Sequence, residues 1–241
     1  MTSVTVWWAR RQDARPGLAA LLDDAERERF TSYVHQPSRE RFLTGCSLAK
    51  SAVAAASGVD PREVRLDRTC ARCGEAHGKP RVSGSDLELS VSHSGDRVAV
   101  AVTRKTPIGV DVEETDARAR GGDDPGALER YVLSEAEQAA FDTGLAPADR
   151  RRNFLVIWTR KEAVLKATGD GLNVSLHDLV VAAPTAPAEV LAWPYAGPPA
   201  AVVLRDLDVG PGYVAALAVL GPCDEIISQD GTALLATVLT R

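Results

Sequence analysis

The alternation of apolar and polar positions predicts β-strands in both halves of the chain. Residues 3–9 (SVTVWWA) and 97–103 (RVAVAVT) are rich in the β-branched and aromatic residues that strands favour. In residues 108–113 (IGVDVE), Ile and Val alternate with Gly, Asp and Glu, so both carboxylates fall on one face of a strand. Further short strands are predicted at 64–66, 87–92, 179–182, 190–193, 201–206 and 213–220.

Apolar residues at helical spacing predict three helical regions, at 18–33, 38–57 and 148–168. Gly58 and Gly169 follow the second and third regions, where a left-handed residue commonly ends a helix. Ser134 and Glu137 form a capping-box pattern that opens a shorter helix, ending at about Phe141. Residues 118–126 read as a polar loop, and residues 233–239 fit either a strand or a short helix.

The order of predicted elements, a strand followed by helices and then strands, occurs twice along the chain. Helices and strands that come in separate runs favour an α+β fold over a parallel βαβ sheet. We therefore expect an N-terminal half at 1–105 and a C-terminal half at 106–241, which together make one functional unit.

Composition limits the classes of protein that the chain can belong to. Of 241 residues, 45% are hydrophobic and 25% are charged, as in ordinary globular proteins. The net charge of −5 argues against a protein that coats nucleic acid. No window approaches the roughly 20 apolar residues that span a bilayer, and the chain starts without a signal-peptide pattern. We expect a cytoplasmic protein that binds neither nucleic acid nor membrane.

Two cysteines and a histidine fall close together in the stretch CARCGEAH, as Cys70, Cys73 and His77. Two thiolates and an imidazole can supply three ligands of a zinc site. No residue nearby suggests itself as the fourth ligand, and there is no second CxxC. A reduced loop near solvent is therefore the preferred interpretation, with a zinc site as the alternative.

Acidic and basic residues form two further patterns with chemical meaning. Asp111 and Glu113, two residues apart on a strand, suit a hard cation such as Mg²⁺, although a solvated edge strand also explains them. Glu162 and Lys166 are four residues apart on a predicted helix, where they form either an ordinary surface ion pair or a pair of active groups.

A third pattern consists of small and basic residues around predicted turns. Gly78-Lys79-Pro80 comes first, and Ser92-His93-Ser94 follows at the end of a strand. Backbone amides, hydroxyls and an ammonium group can bind a phosphate there. A lone histidine is more often structural than catalytic.

Taken in order, these patterns resemble the motifs of the Sfp-type 4′-phosphopantetheinyl transferases, also called holo-[acyl-carrier-protein] synthases. The matching blocks are RFLTG at 41–45, GKP at 78–80, SHS at 92–94, IGVDVE at 108–113 and WTRKEAVLKATG at 158–169. The resemblance covers roughly residues 22–172. The chain departs from it in the first helix, where some members have two lysines that hold the 3′-phosphate of coenzyme A. Here Arg29 can replace one of them and Glu26 cannot replace the other.

The resemblance implies a fold, a reaction and partners. The fold is a pseudo-dimeric monomer of two pseudo-symmetric α/β subdomains, with the active site in the cleft between them. The reaction moves the 4′-phosphopantetheine arm of coenzyme A, the co-substrate, to a serine of an apo carrier protein and leaves 3′,5′-ADP. The carriers of this family serve fatty-acid, polyketide, nonribosomal peptide and aminoadipate pathways.

The resemblance also assigns roles to particular residues. It implies that Asp111, Glu113 and Glu162 hold Mg²⁺, with Mn²⁺ as a substitute. The residues implied in catalysis are Glu162, Lys166 and His93, and those implied in binding coenzyme A are Arg29, Arg41, Lys79, Pro80, Ser92, His93 and Lys166. The basic run 150–152 is a hypothetical docking site for an acidic carrier. The alternatives are another Mg²⁺-dependent phosphate-cleaving enzyme and a non-catalytic binding module.

Overall fold

A computed structural model describes residues 2–70, 72–116, 125–141, 144–171, 174–194 and 201–239. The chain divides into two compact units, the first formed by Met1–Thr106 with Cys223–Arg241 and the second by Pro107–Pro222. Helices and mostly antiparallel strands occur in both, so the fold is α+β, as predicted. None of the described helices is both long and apolar enough to cross a membrane.

The first unit is built on a six-stranded sheet in the order β11-β1-β5-β4-β3-β2. Its strands are β1 (Ser3–Arg10), β2 (Leu66–Asp67), β3 (Arg81–Val82), β4 (Leu87–Ser94), β5 (Arg97–Arg104) and β11 (Glu225–Asp230). Its helices are α1 (Asp24–Ser32), α2 (Gln36–Ser57) and α6 (Gly231–Leu239), with 3₁₀ turns at Arg11–Asp13 and Pro16–Leu21. Buried aliphatic side chains of α2, such as Leu48 and Val53, pack with Leu89 and Val100 of the sheet in one core.

The C-terminal segment lies in a different unit from the one in which it was predicted. Strand β11 pairs in parallel with β1, with Glu225 opposite Ser3, and α6 places Leu235 in the core of the first unit. Residues 223–239 therefore belong with the N-terminal half. They were predicted in the second half because pairing with a strand some 220 residues away leaves no local pattern.

The predicted helix at 18–33 is wrong in one respect, since it is two elements. Asp23 interrupts it, because its side chain accepts a hydrogen bond from the backbone N–H of Glu26 and so starts α1 as its N-cap. Helix α2 begins at Gln36, two residues before the predicted start, and ends as predicted at Gly58, which has a left-handed φ of 79°.

The second unit contains a three-stranded antiparallel sheet in the order β6-β10-β9 and a small hairpin of β7 and β8. Its strands are β6 (Ile108–Glu114), β7 (Val180–Val181), β8 (Val190–Ala192), β9 (Val203–Asp206) and β10 (Tyr213–Val219). Its helices are α3 (Pro125–Val132), α4 (Glu135–Phe141) and α5 (Pro147–Thr168). Buried side chains of α5, including Ile157 and Val164, share a core with Leu204 and Ala216 of the sheet.

Two local predictions for this unit are confirmed and one is partly wrong. Ser134 and Glu137 exchange the backbone hydrogen bonds of a capping box at the start of α4, and Gly169 ends α5 with a φ of 84°. The predicted polar loop at 118–126 lies outside the described residues, except that 125–126 belong to α3 instead.

Each unit fixes its longest helix with one fully buried lysine. In α2, Lys50 Nζ donates to a main-chain oxygen 29 residues upstream, at 2.7 Å, and pairs with Glu26 at 2.6 Å. In α5, Lys161 Nζ also donates to an oxygen 29 residues upstream, at 2.7 Å, and pairs with Glu137 at 2.6 Å. Both glutamates belong to capping boxes. Because a buried ammonium is costly to leave unpaired, these contacts hold each helix against the chain segment that precedes it.

Candidate active site

Strand β6 and helix α5 touch backbone to backbone at Gly109. A Cβ atom placed on Gly109 would lie 1.9 Å from the main-chain oxygen of Ala163 and 2.5 Å from the nitrogen of Ala167. No real Cβ atom approaches so closely, so a side chain at this position would push the strand away from the helix. Gly109 therefore lets the acidic residues that follow it in β6 lie directly beside the helix.

This close approach joins a strand carboxylate to a helix ammonium. Lys166 Nζ in α5 lies 2.6 Å from Asp111 Oδ1 in β6. The Asp111 side chain is 4% exposed, whereas that of Lys166 is 29% exposed. The helical spacing in the sequence suggested a partner for Lys166 on its own helix, and the structure gives it one on the neighbouring strand.

Glu162, one helical turn before Lys166, completes an acidic cluster. Its Oε1 atom is buried and accepts no hydrogen bond from the part of the chain that the structure describes. Burial raises the pKa of Glu162 above its ordinary value, and the charges of Asp111 and Glu113 raise it further, while Lys166 acts in the opposite direction. The charges of Asp111, Glu113 and Lys166 therefore all act on the pKa of Glu162.

The donor set of this cluster fits a hard divalent cation. Mg²⁺ prefers oxygen ligands and is often held by one or two carboxylates, with waters and substrate phosphates completing its shell. Asp111, Glu113 and Glu162 offer carboxylate oxygens, and the buried Oε1 of Glu162 is an acceptor that a cation could satisfy. These residues could therefore hold Mg²⁺.

The residues on either side of the cluster in α5 hold the helix in place. Arg160 is fully buried and donates to both carboxylate oxygens of Asp206, at 2.9 and 2.6 Å. It also donates to main-chain oxygens between β7 and β8. Together with Lys161, it fixes the rotation of α5 and so the direction of Glu162. This role of Arg160 was not predicted, because charged residues occur along the whole of α5 and the pair at 160–161 does not stand out among them.

In the first unit, Arg41 lies beside the turn that follows His93. Arg41 Nη1 donates to the main-chain oxygen of Gly95 at 3.1 Å, and its Nη2 donates to Ser38 Oγ at 3.3 Å. His93 is exposed near the end of β4, while Ser92 before it is buried. The structure therefore brings the predicted Arg41 and His93 to the same end of β4.

The other residues of this unit that are predicted to bind coenzyme A, namely Lys79, Pro80 and Arg29, lie at two places. Lys79 Nζ is 3.1 Å from Glu88 Oε2, and burial lowers the pKa of Lys79, with Glu88 opposing that change. Pro80, next to it, is half-buried. The Arg29 guanidinium lies over the Phe42 ring, 5.6 Å from its centroid. Glu88 was not predicted as a counter-ion for Lys79, because the two residues belong to different elements.

The basic run 150–152 is partly occupied by contacts within its own unit. Arg150 makes two hydrogen bonds to Glu129, at 3.2 and 2.5 Å, and Arg151 donates to the main-chain oxygen of Thr115 at 2.7 Å. Of the three arginines, Arg152 is the exposed one. The run is therefore less positive toward solvent than its sequence indicated.

Comparison with known proteins agrees with the motifs. A family model described as the 4′-phosphopantetheinyl transferase superfamily matches residues 107–218, which contain the whole acidic cluster. The chain is 31% identical over 209 residues to the 4′-phosphopantetheinyl transferase HetI of Nostoc sp., covering 85% of this chain and 81% of that protein. It is 23% identical to the 4′-phosphopantetheinyl transferase Sfp of Bacillus subtilis, covering 88% of each.

A further relative is a 4′-phosphopantetheinyl transferase of Bacillus subtilis, 27% identical over 68% of this chain and 67% of that protein. Similarity over most of the length, together with a family match across the acidic cluster, extends beyond shared short motifs. The chain belongs to the 4′-phosphopantetheinyl transferase superfamily and is an enzyme of this type.

Proposed function

We propose that the protein transfers the 4′-phosphopantetheine arm from coenzyme A to a serine hydroxyl of an apo carrier protein. The serine oxygen forms a bond to the β-phosphorus of coenzyme A, and the bond from that phosphorus to the bridging oxygen of the diphosphate breaks. The products are the holo carrier and 3′,5′-ADP. The observation that carries the proposal is the half-buried Glu162, with its buried Oε1 atom and raised pKa, beside the Asp111–Lys166 pair.

Asp111, Glu113 and Glu162 are the residues that would hold Mg²⁺, or Mn²⁺ in its place. When bound, such an ion neutralises diphosphate charge and favours departure of the leaving group. Lys166 orients Asp111 through their 2.6 Å contact and supplies positive charge near the reacting phosphate. Phosphoryl transfer depends mainly on positioning and charge neutralisation, which this set of groups can provide.

Glu162 is the group that would accept the serine proton, as a metal ligand, a general base or both. A carboxylate whose pKa is raised by burial is a stronger base than an exposed one. As the serine oxygen bonds to phosphorus, its proton passes to Glu162 and then to solvent.

We assign the binding of coenzyme A mainly to residues of the first unit. Those assigned to its phosphates and nucleotide are Arg29, Arg41, Lys79, Pro80, Ser92 and His93, with Lys166 from the second unit. The shared position of Arg41 and His93 at one end of β4 supports it. We extend the proposal to a monomer of two pseudo-symmetric subdomains, which the matching buried networks of Lys50 and Lys161 support.

A transfer assay with an apo carrier protein, coenzyme A and Mg²⁺ tests the proposal. Intact-mass spectrometry should show the mass of one phosphopantetheine arm added to the carrier, and none on a carrier whose serine is replaced by alanine. Asp111→Asn should abolish transfer, whereas Asp178→Asn, at an exposed aspartate, should not. Chelation by EDTA should stop the reaction and added Mg²⁺ should restore it.

The same assay distinguishes the proposed transferase from the main alternative function. Another Mg²⁺-dependent phosphate-cleaving enzyme would use the same three carboxylates, hydrolyse a phosphate compound and leave the carrier mass unchanged. Absence of a mass gain across a panel of acyl, peptidyl and aryl carriers would contradict the proposed transfer. Unchanged activity after chelation would contradict the metal assignment.

A further inference from the structure

The loop between β2 and β3 brings three metal-binding side chains together, far along the chain from the acidic cluster. The ligand atoms of Cys70, Cys73 and His77 all lie within 4.8 Å of one another, and Cys73 Sγ is 2.9 Å from His77 Nε2. Around a tetrahedral zinc ion, two such ligand atoms are about 3.5–3.8 Å apart, given Zn–S and Zn–N bonds of about 2.3 and 2.0 Å. A small adjustment of these side chains therefore suffices to hold one ion.

The backbone around Cys70 is arranged to support a thiolate. The N–H groups of Cys73 and Arg72 donate hydrogen bonds to the sulfur of Cys70. The N–H of Gly74 donates to the main-chain oxygen of Cys70 at 2.9 Å, and Gly74 has a left-handed φ of 79°. This tight turn after the second cysteine directs both sulfurs to the same side as His77. The thiolate is the form of cysteine that binds metal.

The same loop is packed against the residue that precedes Lys79. The N–H of Gly78 donates to the main-chain oxygen of Arg68 at 2.7 Å. A Cβ atom on Gly78 would lie 2.9 Å from the oxygen of Thr69 and 3.0 Å from the Cα of Cys70. Gly78 therefore holds the start of the GKP segment directly against the chain that enters the cluster.

We propose that Cys70, Cys73 and His77 bind one Zn²⁺, with water in the fourth position, and that the ion stiffens the loop leading to Lys79. Two thiolates and an imidazole are softer donors than the carboxylates of the acidic cluster and select zinc over magnesium. Two thiolates also neutralise the charge of the ion. The sequence pattern favoured a reduced loop near solvent, whereas the convergence of all three side chains favours zinc. This site does not depend on the proposed transfer reaction.

A disulfide between the two cysteines is the competing state. Both cysteines are free thiols in the structure, and a disulfide would remove both thiolates as metal ligands. It would also need an oxidant that the proposed reaction does not supply. Zinc binding requires only loss of the thiol protons.

Metal analysis of the purified full-length chain tests the zinc site. Elemental mass spectrometry should find about one zinc per chain in the wild type and less than about a tenth of that in Cys73→Ser and His77→Gln, since each removes a ligand. Cys223→Ser is the matched control, because Cys223 lies outside the cluster, and it should keep its zinc. Asp111→Asn should also keep it, which separates this site from the acidic cluster.

Cobalt substitution supplies a second readout that does not depend on any variant folding. Co²⁺ added to the zinc-free wild type should give the charge-transfer absorption of thiolate ligands, which carboxylates do not produce. Wild-type protein with no stoichiometric zinc and no thiolate–cobalt bands would overturn the proposal. A wild-type mass two hydrogens lower, indicating a Cys70–Cys73 disulfide, or loss of zinc in Asp111→Asn, would overturn it as well.

Discussion

Lys166 in helix α5 donates to Asp111 in strand β6 across 2.6 Å, and this pair lies beside Glu162, whose Oε1 atom is buried. The pKa of Glu162 is raised by burial and by the nearby charges of Asp111 and Glu113. The charges of these three carboxylates repel one another, and a divalent cation bound among them would relieve that repulsion.

Replacing Lys166 with methionine should increase that repulsion among the carboxylates, because Lys166 opposes the rise in the pKa of Glu162. We expect Lys166→Met to lower the free energy of unfolding at neutral pH by about 1–3 kcal/mol. That is less than the cost of breaking a fully buried pair, because the Lys166 side chain is 29% exposed. Urea denaturation with and without Mg²⁺ measures the change, and Mg²⁺ should stabilise the variant more than the wild type. Lys105→Met, at a lysine that is 79% exposed, is the control. An unaltered response to Mg²⁺ would contradict the proposed charge balance.

Glu162→Gln should raise the stability of the protein at neutral pH and lower its activity. The folded state raises the pKa of Glu162, so the ionised form destabilises the fold, and this cost appears as the pH rises through the folded pKa. The glutamine variant should therefore melt at a higher temperature than the wild type at pH 7, with the difference vanishing below about pH 4.

Turnover of the same variant should fall by roughly 10²–10⁴-fold if Glu162 serves as the base. Calorimetric titration with coenzyme A in the same buffer should show a smaller change in affinity. Glu189→Gln, at an exposed glutamate, should alter neither property. A Glu162→Gln protein that melts below the wild type at neutral pH would show that burial does not penalise this carboxylate.

Gly109→Ala should damage the packing of β6 on α5. The added methyl group would meet backbone atoms at 1.9 and 2.5 Å, which cannot move aside as a side chain can, so a loss of at least about 1–3 kcal/mol is expected. Gly45→Ala in α2 is the matched control, since its nearest neighbour would be 3.7 Å away and alanine favours a helix. Chemical denaturation of both proteins should give opposite signs, and equal stability of the two would refute the steric argument.

Removing the counter-ion of Lys79 should strengthen the binding of coenzyme A. Lys79 pairs with Glu88 at 3.1 Å, so a phosphate must compete with that carboxylate for the ammonium. Glu88→Gln is expected to lower KM for coenzyme A by a few-fold, whereas Lys79→Ala should raise it, both with little change in KM for the carrier. Steady-state kinetics would measure these changes in KM, with Glu63→Gln as the control. A Glu88→Gln enzyme with a raised KM for coenzyme A would mean that Glu88 positions Lys79 instead of competing for it.

Local signals in the sequence predicted elements whose ends are set by neighbouring residues. Gly58 and Gly169 end their helices because glycine reaches a left-handed φ with little strain. Ser134 and Glu137 open α4 because a capping box closes within four residues. Strand β6 was found by its alternation, which is a property of its own residues.

Elements that depend on distant partners were missed or misplaced. Strand β11 (Glu225–Asp230) has largely polar, exposed residues and exists because it adds to the edge of β1. Helix α6 after it was left open between two states, and the segment was assigned to the wrong half. The backbone hydrogen bonds of such a strand come from tertiary pairing, which local periodicity does not report.

For the candidate site, local patterns predicted the chemical groups and their placement within each element. They put Asp111 and Glu113 on one face of a strand, and Glu162 and Lys166 on one face of a helix. Tertiary packing brings these two faces together, joins Lys166 to Asp111 and buries the Oε1 atom of Glu162. Backbone periodicity fixes direction within an element, whereas the meeting of two elements depends on packing, here on the missing side chain of Gly109.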